Sequence, residues 1–189
     1  EHRLALDAAA EAGAVVTLVA GPVHLPTPRG VRRIDVRTAQ QMHDAVLSAA
    51  GAHDVFIATA AVADWRPAQL SDQKIKKNGS KVAPSFELTE NPDILAAVAK
   101  LPDRPYCVGF AAESHDLLKH AREKLVRKGL DLVAANRVGV QGQGFESEDN
   151  ELTLVDAASE RALGRGSKRE LARALVAEIA ARLAQRDGA

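Results

Sequence analysis

Short apolar runs alternate with amphipathic stretches along most of this chain. The apolar runs fall at 14–20, 54–59, 106–110 and 130–135, with a shorter one at 33–36, and each has the length of a strand rather than of a helix. The stretches between them repeat apolar residues at helical spacing. Strands that alternate with helices in this way are typical of an α/β fold, here Rossmann-like and doubly wound around a mainly parallel sheet.

Capping signals locate the helices between these runs. The predicted helices are 3–12, 39–50, a helix that begins at Asn91-Pro92-Asp93, 114–129, and a closing helix after Ser167. Thr38 with Gln41, and Ser167 with Glu170, have the spacing of capping boxes. Asn91 is predicted to cap its helix with its side chain, followed by a proline in the first turn.

Two hairpins are predicted. Asn78-Gly79 is a strong signal for a tight two-residue turn, so we expect a β-ribbon over about 73–88 that projects from the core. Residues 152–155 and 161–163 form a second hairpin, which comes before the closing helix. No linker or internal repeat separates these elements, so residues 1–189 are predicted to be one nucleotide-binding domain.

The composition argues against several classes of partner. Lys plus Arg and Asp plus Glu are both 25, so no overall field draws the protein to nucleic acid or to an anionic membrane. Aromatic residues make up only 3%, which is few for a surface that stacks single-stranded nucleic acid. No window reaches the ~20 apolar residues of a membrane span. The single cysteine, Cys107, fits a reducing compartment, so we expect a cytoplasmic protein.

The segment Ala60-Ala61-Val62-Ala63-Asp64-Trp65-Arg66 is the strongest candidate for a ligand site. It follows a predicted strand, and α/β folds bind ligands at the carboxyl ends of their strands. Its small residues leave room for a ligand to touch the backbone. Asp64 suits a ribose hydroxyl or a magnesium ion, although an aspartate here also suits the cap of a turn.

Lysines provide candidate phosphate ligands. Lys74, Lys76 and Lys77 lie along the predicted ribbon, and Lys74 is nearest the small-residue loop, where it could steady a transferring phosphoryl group. Lys124 and Lys128 are one helical turn apart and project from the same side of their helix. A solvated surface is the alternative interpretation for each of these lysines.

Two further features complete the candidate nucleotide site. Residues 92–95 lie at a predicted helix start, where backbone N–H groups face an anion or a base edge. Phe110 ends its strand and either flanks a planar base or belongs to the core. These residues alone leave three functions open: a phosphoryl-transfer enzyme, a nicotinamide-dependent oxidoreductase, and a non-catalytic nucleotide-binding fragment. The sequence has no GxGxxG motif to support the oxidoreductase.

Seven separate motifs point to a single family. They are residues 18–23 (LVAGPV), 60–65 (AAVADW), 74–77 (KIKK), 91–95 (NPDIL), 108–113 (VGFAAE), 135–136 (AN) and 144–147 (GFES). In this order and over nearly the whole chain, they resemble the phosphopantothenoylcysteine synthetases of coenzyme A biosynthesis. The likeness is to the bacterial, CTP-dependent form, which is often fused to a flavin-dependent decarboxylase.

The resemblance implies a reaction in two steps. In this family the carboxylate of 4′-phosphopantothenate attacks the α-phosphate of CTP, which gives an acyl-cytidylate and pyrophosphate. The amine of cysteine then displaces CMP and forms the amide of 4′-phosphopantothenoylcysteine. Magnesium neutralises the triphosphate. The family works as a homodimer, with the lysine ribbon near a shared site.

The resemblance also implies roles for single residues. The implied CTP site consists of Ala58, Thr59, Ala60, Asp64, Lys74, Pro92, Asp93, Ile94, Leu95, Phe110, Lys124 and Lys128. Lys74 and Ala61 are the implied catalytic residues: Lys74 steadies the α-phosphate, and Ala61 lies against the acyl intermediate. The CTP phosphates hold the magnesium ion, with Asp64 as a candidate ligand.

One part of the family pattern has no match in this sequence. The family's N-terminal strand and glycine-rich loop engage the phosphopantothenate, and no positions here correspond to them. We therefore expect a ligase domain without that loop, and we assign no residue to 4′-phosphopantothenate or to cysteine. Flavin binding is not expected, because the decarboxylase half has no counterpart either.

Overall fold

The computed structural model describes residues 2–69, 71, 73, 74, 76, 85–138 and 149–187. The elements are, in chain order, α1 (His2–Glu11), β1 (Thr17–Ala20), β2 (Arg32–Asp35), α2 (Ala39–Ala50), β3 (Val55–Ala58), β4 (Trp65–Pro67), β5 (Leu88–Glu90), α3 (Ile94–Ala99), β6 (Tyr106–Glu113), α4 (Leu117–Lys128), β7 (Leu132–Arg137), β8 (Asp149–Val155), β9 (Glu160–Ser167) and α5 (Lys168–Asp187). Strands and helices alternate through most of the chain, as the apolar runs predict.

Five strands form the central sheet, in the order β3-β6-β7-β8-β9. β3, β6 and β7 run parallel, with Ala58 opposite Gly109 and Ala112 opposite Asn136. β8 and β9 are antiparallel and form the predicted C-terminal hairpin. Because the three parallel strands end at the same edge of the sheet, the loops that follow them meet there.

Helices cover both faces of this sheet. α2, α3 and α4 pack on one face and contribute Val46, Val98 and Leu125 to the core beneath them. α5 packs on the other face, where Leu175 and Ile179 are buried against the strands, and α1 packs on α5. This two-sided arrangement confirms the predicted doubly wound α/β class.

Two smaller sheets accompany the central one. β1 and β2 form a parallel pair. β4 and β5 form an antiparallel pair, the stem, in which Trp65 lies opposite Glu90 and Pro67 opposite Leu88. The β-ribbon predicted over about 73–88 falls mostly outside the described residues. Of its described positions, only Leu88 belongs to a strand.

Three of the predicted helix ends are confirmed by their hydrogen bonds. The Gln41 N–H donates to Thr38 Oγ1 over 3.1 Å where α2 begins. Ser167 and Glu170 bond each other reciprocally where α5 begins, over 3.0 Å and 3.3 Å. α4 ends at Gly129, whose φ of 67° lies in the left-handed region that glycine adopts most readily. Among the described helices, none has both the length and the apolar character needed to cross a membrane.

Several predicted boundaries are wrong by three or four residues: β6 ends at Glu113 rather than at 110, β8 begins at Asp149 rather than at 152, and β9 ends at Ser167 rather than at 163. Two further differences, at the starts of β1 and α4, have local causes. β1 begins at Thr17 rather than at Ala14, because Ala14 is still bonded to the end of α1: its N–H donates to the Ala9 carbonyl oxygen over 3.0 Å. α4 begins at Leu117 rather than at Ser114, because β6 extends through Glu113 in its pairing with β7. In both places a neighbouring element bonds residues that local composition predicts to belong to the next element.

The start of α3 corrects the predicted role of Asn91. Asp93 is the N-cap residue, and its Oδ1 accepts a hydrogen bond from the Ala96 N–H over 3.1 Å. Pro92 therefore precedes the cap instead of lying in the first turn. Asn91 cannot act as the cap because its side chain is bonded elsewhere, with Nδ2 donating to the Ala63 carbonyl oxygen over 2.8 Å.

Candidate functional site

A cavity of about 320 Å³ opens where β3 and β6 end, next to α5. Residues predicted from the sequence form much of its wall: Ala58, Thr59, Ala60, Ala61, Phe110 and Lys124. α1, α5 and the ends of β6, β7 and β8 supply the rest of the lining. The cavity thus lies at the carboxyl edge of the parallel strands, where α/β folds bind their ligands.

The wall next to β3 is built from small side chains. Ala58 is the last residue of β3, and residues 59–64, which follow it, are called the alanine loop below. Thr59 is half-buried, while Ala60 and Ala61 are exposed. Because no large side chain stands on this part of the wall, a ligand can approach the backbone closely.

Lys124 reaches this edge of the sheet from α4. Its Nζ donates to the Phe110 carbonyl oxygen over 2.5 Å. Burial, and then the positive charges of Lys128 and Arg127, lower the pKa of Lys124. Its hydrogen-bond partner is a neutral carbonyl rather than a carboxylate. The cavity therefore presents a partly desolvated cation, which suits an anionic ligand such as phosphate.

Lys128, one turn further along α4, faces α3. Its Nζ forms an ion pair with Asp93 Oδ2. Burial opposes the ionisation of Asp93, but hydrogen bonds from Lys128 and from the Ala96 N–H outweigh it and hold the pKa of Asp93 below its usual range. The Asp93 carboxylate thus joins the start of α3 to the end of α4, with both of its oxygens engaged.

The other predicted residues lie outside the described lining of the cavity. Ile94 is buried in the core, and Leu95 packs against the same cluster. Pro92 is half-buried before α3, whereas Asp64 and Lys74 are exposed. The structure therefore brings residues 59–61 of the alanine loop together with Phe110 and Lys124, whereas Asp64, at the end of this loop, and Lys74 lie outside the described lining. The roles assigned to all these residues remain predictions.

For three polar residues of the cavity, the sequence predicts no role. Asn136 at the end of β7 and Asn150 in β8 are 5% and 6% exposed, and Lys168 is the first residue of α5. A signal was present in the sequence, because Asn136 is a polar residue directly after an apolar run.

Fold and cavity together define a Rossmann-like α/β domain that presents a cation at the carboxyl edge of its sheet. Residues 3–183 match the profile of a protein family described as "DNA/pantothenate metabolism flavoprotein C-terminal domain". The chain belongs to this family, and the match confirms the resemblance found in the sequence motifs.

Individual relatives agree with this assignment. The "Coenzyme A biosynthesis bifunctional protein CoaBC" of Vibrio cholerae serotype O1 is 53% identical over 170 residues, or 89% of this chain and 43% of that protein. The Escherichia coli protein of the same name is 46% identical over 177 residues, or 93% of this chain and 44% of that protein. A crystal structure of the C-terminal domain of a CoaBC is 30% identical, with a TM-score of 0.77 over 97% of this chain and 82% of that one. The chain thus spans less than half the length of these two curated relatives.

Proposed function

We propose that this domain is a CTP-dependent phosphopantothenate–cysteine ligase of coenzyme A biosynthesis. The observation that carries the proposal is the cavity in which the alanine loop, Phe110 and Lys124 meet. Activation of a carboxylate by a nucleotide needs a pocket for that nucleotide and cations for its phosphates. The relatives are described as coenzyme A biosynthesis proteins, which supports the same activity.

The proposed reaction has two balanced steps. The carboxylate of 4′-phosphopantothenate attacks the α-phosphorus of CTP, forming an acyl–phosphate bond as pyrophosphate leaves. The amine of cysteine then attacks the acyl carbon, which forms the amide as CMP leaves. Lys74 steadies the α-phosphate while charge develops on it, and Ala61 lies against the acyl intermediate.

Lys124 and Lys128 are the proposed ligands of the triphosphate. Lys124 would exchange a neutral carbonyl partner for a phosphate oxygen, which gives a partly buried ammonium group a charged partner. Lys128 is held in place by Asp93. Phe110 flanks the base, and the Asn136 carboxamide offers hydrogen bonds to a polar group of the bound substrates.

A magnesium ion is proposed as the companion of the triphosphate. Magnesium in proteins is usually held by one or two carboxylates together with substrate phosphates. Asp64 supplies one exposed carboxylate at the end of the alanine loop, so it is the proposed protein ligand. The ion would neutralise phosphate charge as the two anionic substrates meet.

The exposed apolar residues of the stem support the proposal that the protein is a homodimer. Trp65 and Leu88 are 54% and 57% exposed, and both share one face of the stem with Pro67, because opposite and alternate residues of a strand pair point the same way. Phe86, just before the stem, is 59% exposed. An apolar face of this kind favours burial against a second copy. Sedimentation equilibrium tests this, and a monomer at micromolar concentration would contradict it.

The relatives and the composition support further proposals about fusion, location and domain organisation. The relatives are described as bifunctional, which supports fusion to, or association with, a flavin-dependent decarboxylase. The single cysteine fits a cytoplasmic location. Residues 1–189 are proposed to act as one ligase domain.

Calorimetric titration with CTP, ATP and NADH, each with magnesium, separates the proposed ligase from its rivals. Selective binding of CTP is the expected result. Binding of NADH without CTP would instead favour a nicotinamide-dependent oxidoreductase. Binding of none of the three would contradict the placement of a nucleotide in this cavity. If the protein binds CTP but does not catalyse the ligation, it is a non-catalytic nucleotide-binding protein.

Substitution of the two α4 lysines tests the phosphate site. Lys124→Ala combined with Lys128→Ala should weaken CTP binding by about tenfold to a hundredfold, since a hydrogen bond to a charged group contributes about 1.5–3 kcal/mol. Lys119→Ala removes an exposed lysine from the same helix and serves as the control. Unaltered CTP affinity in the double variant would mean that both lysines are solvated surface residues and not phosphate ligands.

Lys74→Ala tests the proposed catalytic step. It should abolish acyl-cytidylate formation by the protein at its natural length, while CTP affinity stays within about tenfold, because the role of Lys74 is in the transition state. Lys76→Ala, which changes an exposed lysine two residues away, is the control. If Lys74→Ala turns over as fast as the wild type, Lys74 has no role in the reaction.

A further inference from the structure

The alanine loop is tied to the stem by a group of hydrogen bonds around Arg66 and Asn91, called the clamp below. Asn91 Nδ2 donates to the Ala63 carbonyl oxygen over 2.8 Å. The Asn91 N–H donates to the Asp64 carbonyl oxygen, also over 2.8 Å. Arg66 Nη1 donates to Asn91 Oδ1 over 3.1 Å and to the Glu90 carbonyl oxygen. Both ends of the Asn91 carboxamide and its backbone N–H are therefore engaged.

The clamp connects three segments that contain proposed site residues or lead to them. The alanine loop carries Ala61 and Asp64, the stem leads toward Lys74, and α3 begins directly after residues 92–93. Asn91 contacts the first two and is separated from the third by only Pro92 and Asp93. Because Asp93 caps α3, the side chain of Asn91 is not needed for that task.

We infer that Asn91 is a positioning residue of the ligase reaction, and that Arg66 supports it. The inference rests on the proposed function, and it assigns to Asn91 the task of fixing the alanine loop against the stem. Fixed geometry matters because a displacement of about 1 Å between reacting groups can lower a rate on the order of a hundredfold. Asn91 acts through the loop and need not touch the substrates.

The chemistry of the clamp requires an amide at position 91. The side chain must donate a hydrogen bond to a carbonyl at one end and accept one from a guanidinium at the other. Asparagine does both, whereas aspartate can only accept when ionised. Asn91→Asp therefore keeps the shape of the side chain and its contact with Arg66, but sets a carboxylate oxygen against the Ala63 carbonyl oxygen.

A first experiment observes the clamp directly. Trp65 is the only tryptophan of the chain, and it lies between Asp64 and Arg66, so its fluorescence reports on this region. Time-resolved anisotropy of the 189-residue chain should show larger nanosecond motion of Trp65 in Asn91→Asp and in Arg66→Ala. Thr89→Ala changes the residue opposite Arg66 in the stem without removing a clamp bond, and should leave the motion unchanged.

A second experiment measures the consequence for the reaction in the protein at its natural length. Asn91→Asp should lower kcat for CMP release by about tenfold or more, while KM for CTP stays within about threefold. Arg66→Ala should lower kcat in the same way. The double variant should be no worse than the worse single variant, because residues that act as one unit are not additive.

The outcomes separate this inference from the proposed function. A wild-type protein that does not turn over CTP would refute the proposed function, while Trp65 anisotropy would still report whether the clamp holds the loop. A wild-type protein that turns over CTP and an Asn91→Asp variant with unchanged kcat would overturn the inference alone. A lower melting temperature with unchanged kcat and unchanged Trp65 motion would make Asn91 merely structural, which also overturns it.

Discussion

Alanine in place of Gly109 probes the packing directly behind the cavity. Gly109 lies within β6, opposite Ala58. A Cβ atom built on it would lie 2.8 Å from Leu130 Cδ1 and 3.2 Å from Leu95 Cδ2. Carbon atoms in favourable contact are about 3.5–4.0 Å apart, so both leucine side chains would have to move. Leu130 is only 8% exposed, which leaves it little room to do so.

Two opposing effects set the size of the change. Overpacking a well-packed core costs about 1–3 kcal/mol. Replacing glycine by alanine also restricts the unfolded chain, which stabilises the folded state by about 0.4–1 kcal/mol. The net expectation is a destabilisation of about 1–2 kcal/mol, which lowers the melting temperature by about 2–8 °C in a domain of this size.

The matched control is Gly51→Ala. Gly51 ends α2 with φ −67° and ψ −10°, which alanine adopts readily, and a Cβ built there meets nothing within 4 Å. The melting temperature of this variant should be unchanged or slightly raised. Thermal unfolding followed by circular dichroism, with urea unfolding beside it, measures both variants. If Gly109→Ala proves as stable as Gly51→Ala, the space behind the cavity is looser than these distances indicate.

Two further predictions concern groups away from the cavity. Asp156 is partly buried, which opposes its ionisation, but hydrogen bonds from Arg182 and from its own turn hold its pKa well below the usual range. That stabilisation is present above the ordinary aspartate pKa and is lost as the pH falls below it. Asp156→Asn should remove about 2 kcal/mol at pH 7 and flatten the acid side of the melting-temperature profile, and an unchanged profile would refute this. Asp131 accepts two hydrogen bonds from Arg104, over 2.6 Å and 2.8 Å, and one from the Cys107 N–H over 2.7 Å. Asp131→Ala should cost about 2–3 kcal/mol in urea unfolding and leave CTP affinity unchanged, because these bonds lie at the opposite edge of the sheet; a loss of affinity without a loss of stability would contradict this.

The strands of the central sheet were predictable because burial between two helical layers gives them continuous apolar sequences. β3, β6 and β7 fall where the apolar runs lie, although β6 is longer than predicted. Helix starts were less predictable where two polar residues compete for one cap. The choice between Asn91 and Asp93 depends on a bond to Ala63, which is distant in sequence, and helix-capping rules consider only local residues.

The candidate site was predictable in part. The family resemblance implied Ala58, Phe110 and Lys124 as site residues, and the fold places these three residues around one cavity. Contacts set by packing were not predictable, such as the bond from Lys124 to the Phe110 carbonyl. Asn150 joins the cavity only because β8 lies beside β7, and an antiparallel strand added to a parallel sheet has no local signal for its position.

The burial of the cysteine has a practical consequence. Cys107 is fully buried, burial raises the pKa of its thiol, and Sγ donates to the Pro105 carbonyl oxygen over 3.3 Å. Since thiolates and not thiols attack disulfides, the folded domain should not form mixed disulfides with free cystine or with oxidised thiol metabolites. Alkylation at this position then requires the surrounding sheet to open. The rate at which Cys107 is alkylated therefore measures how often the centre of the protein is exposed to solvent.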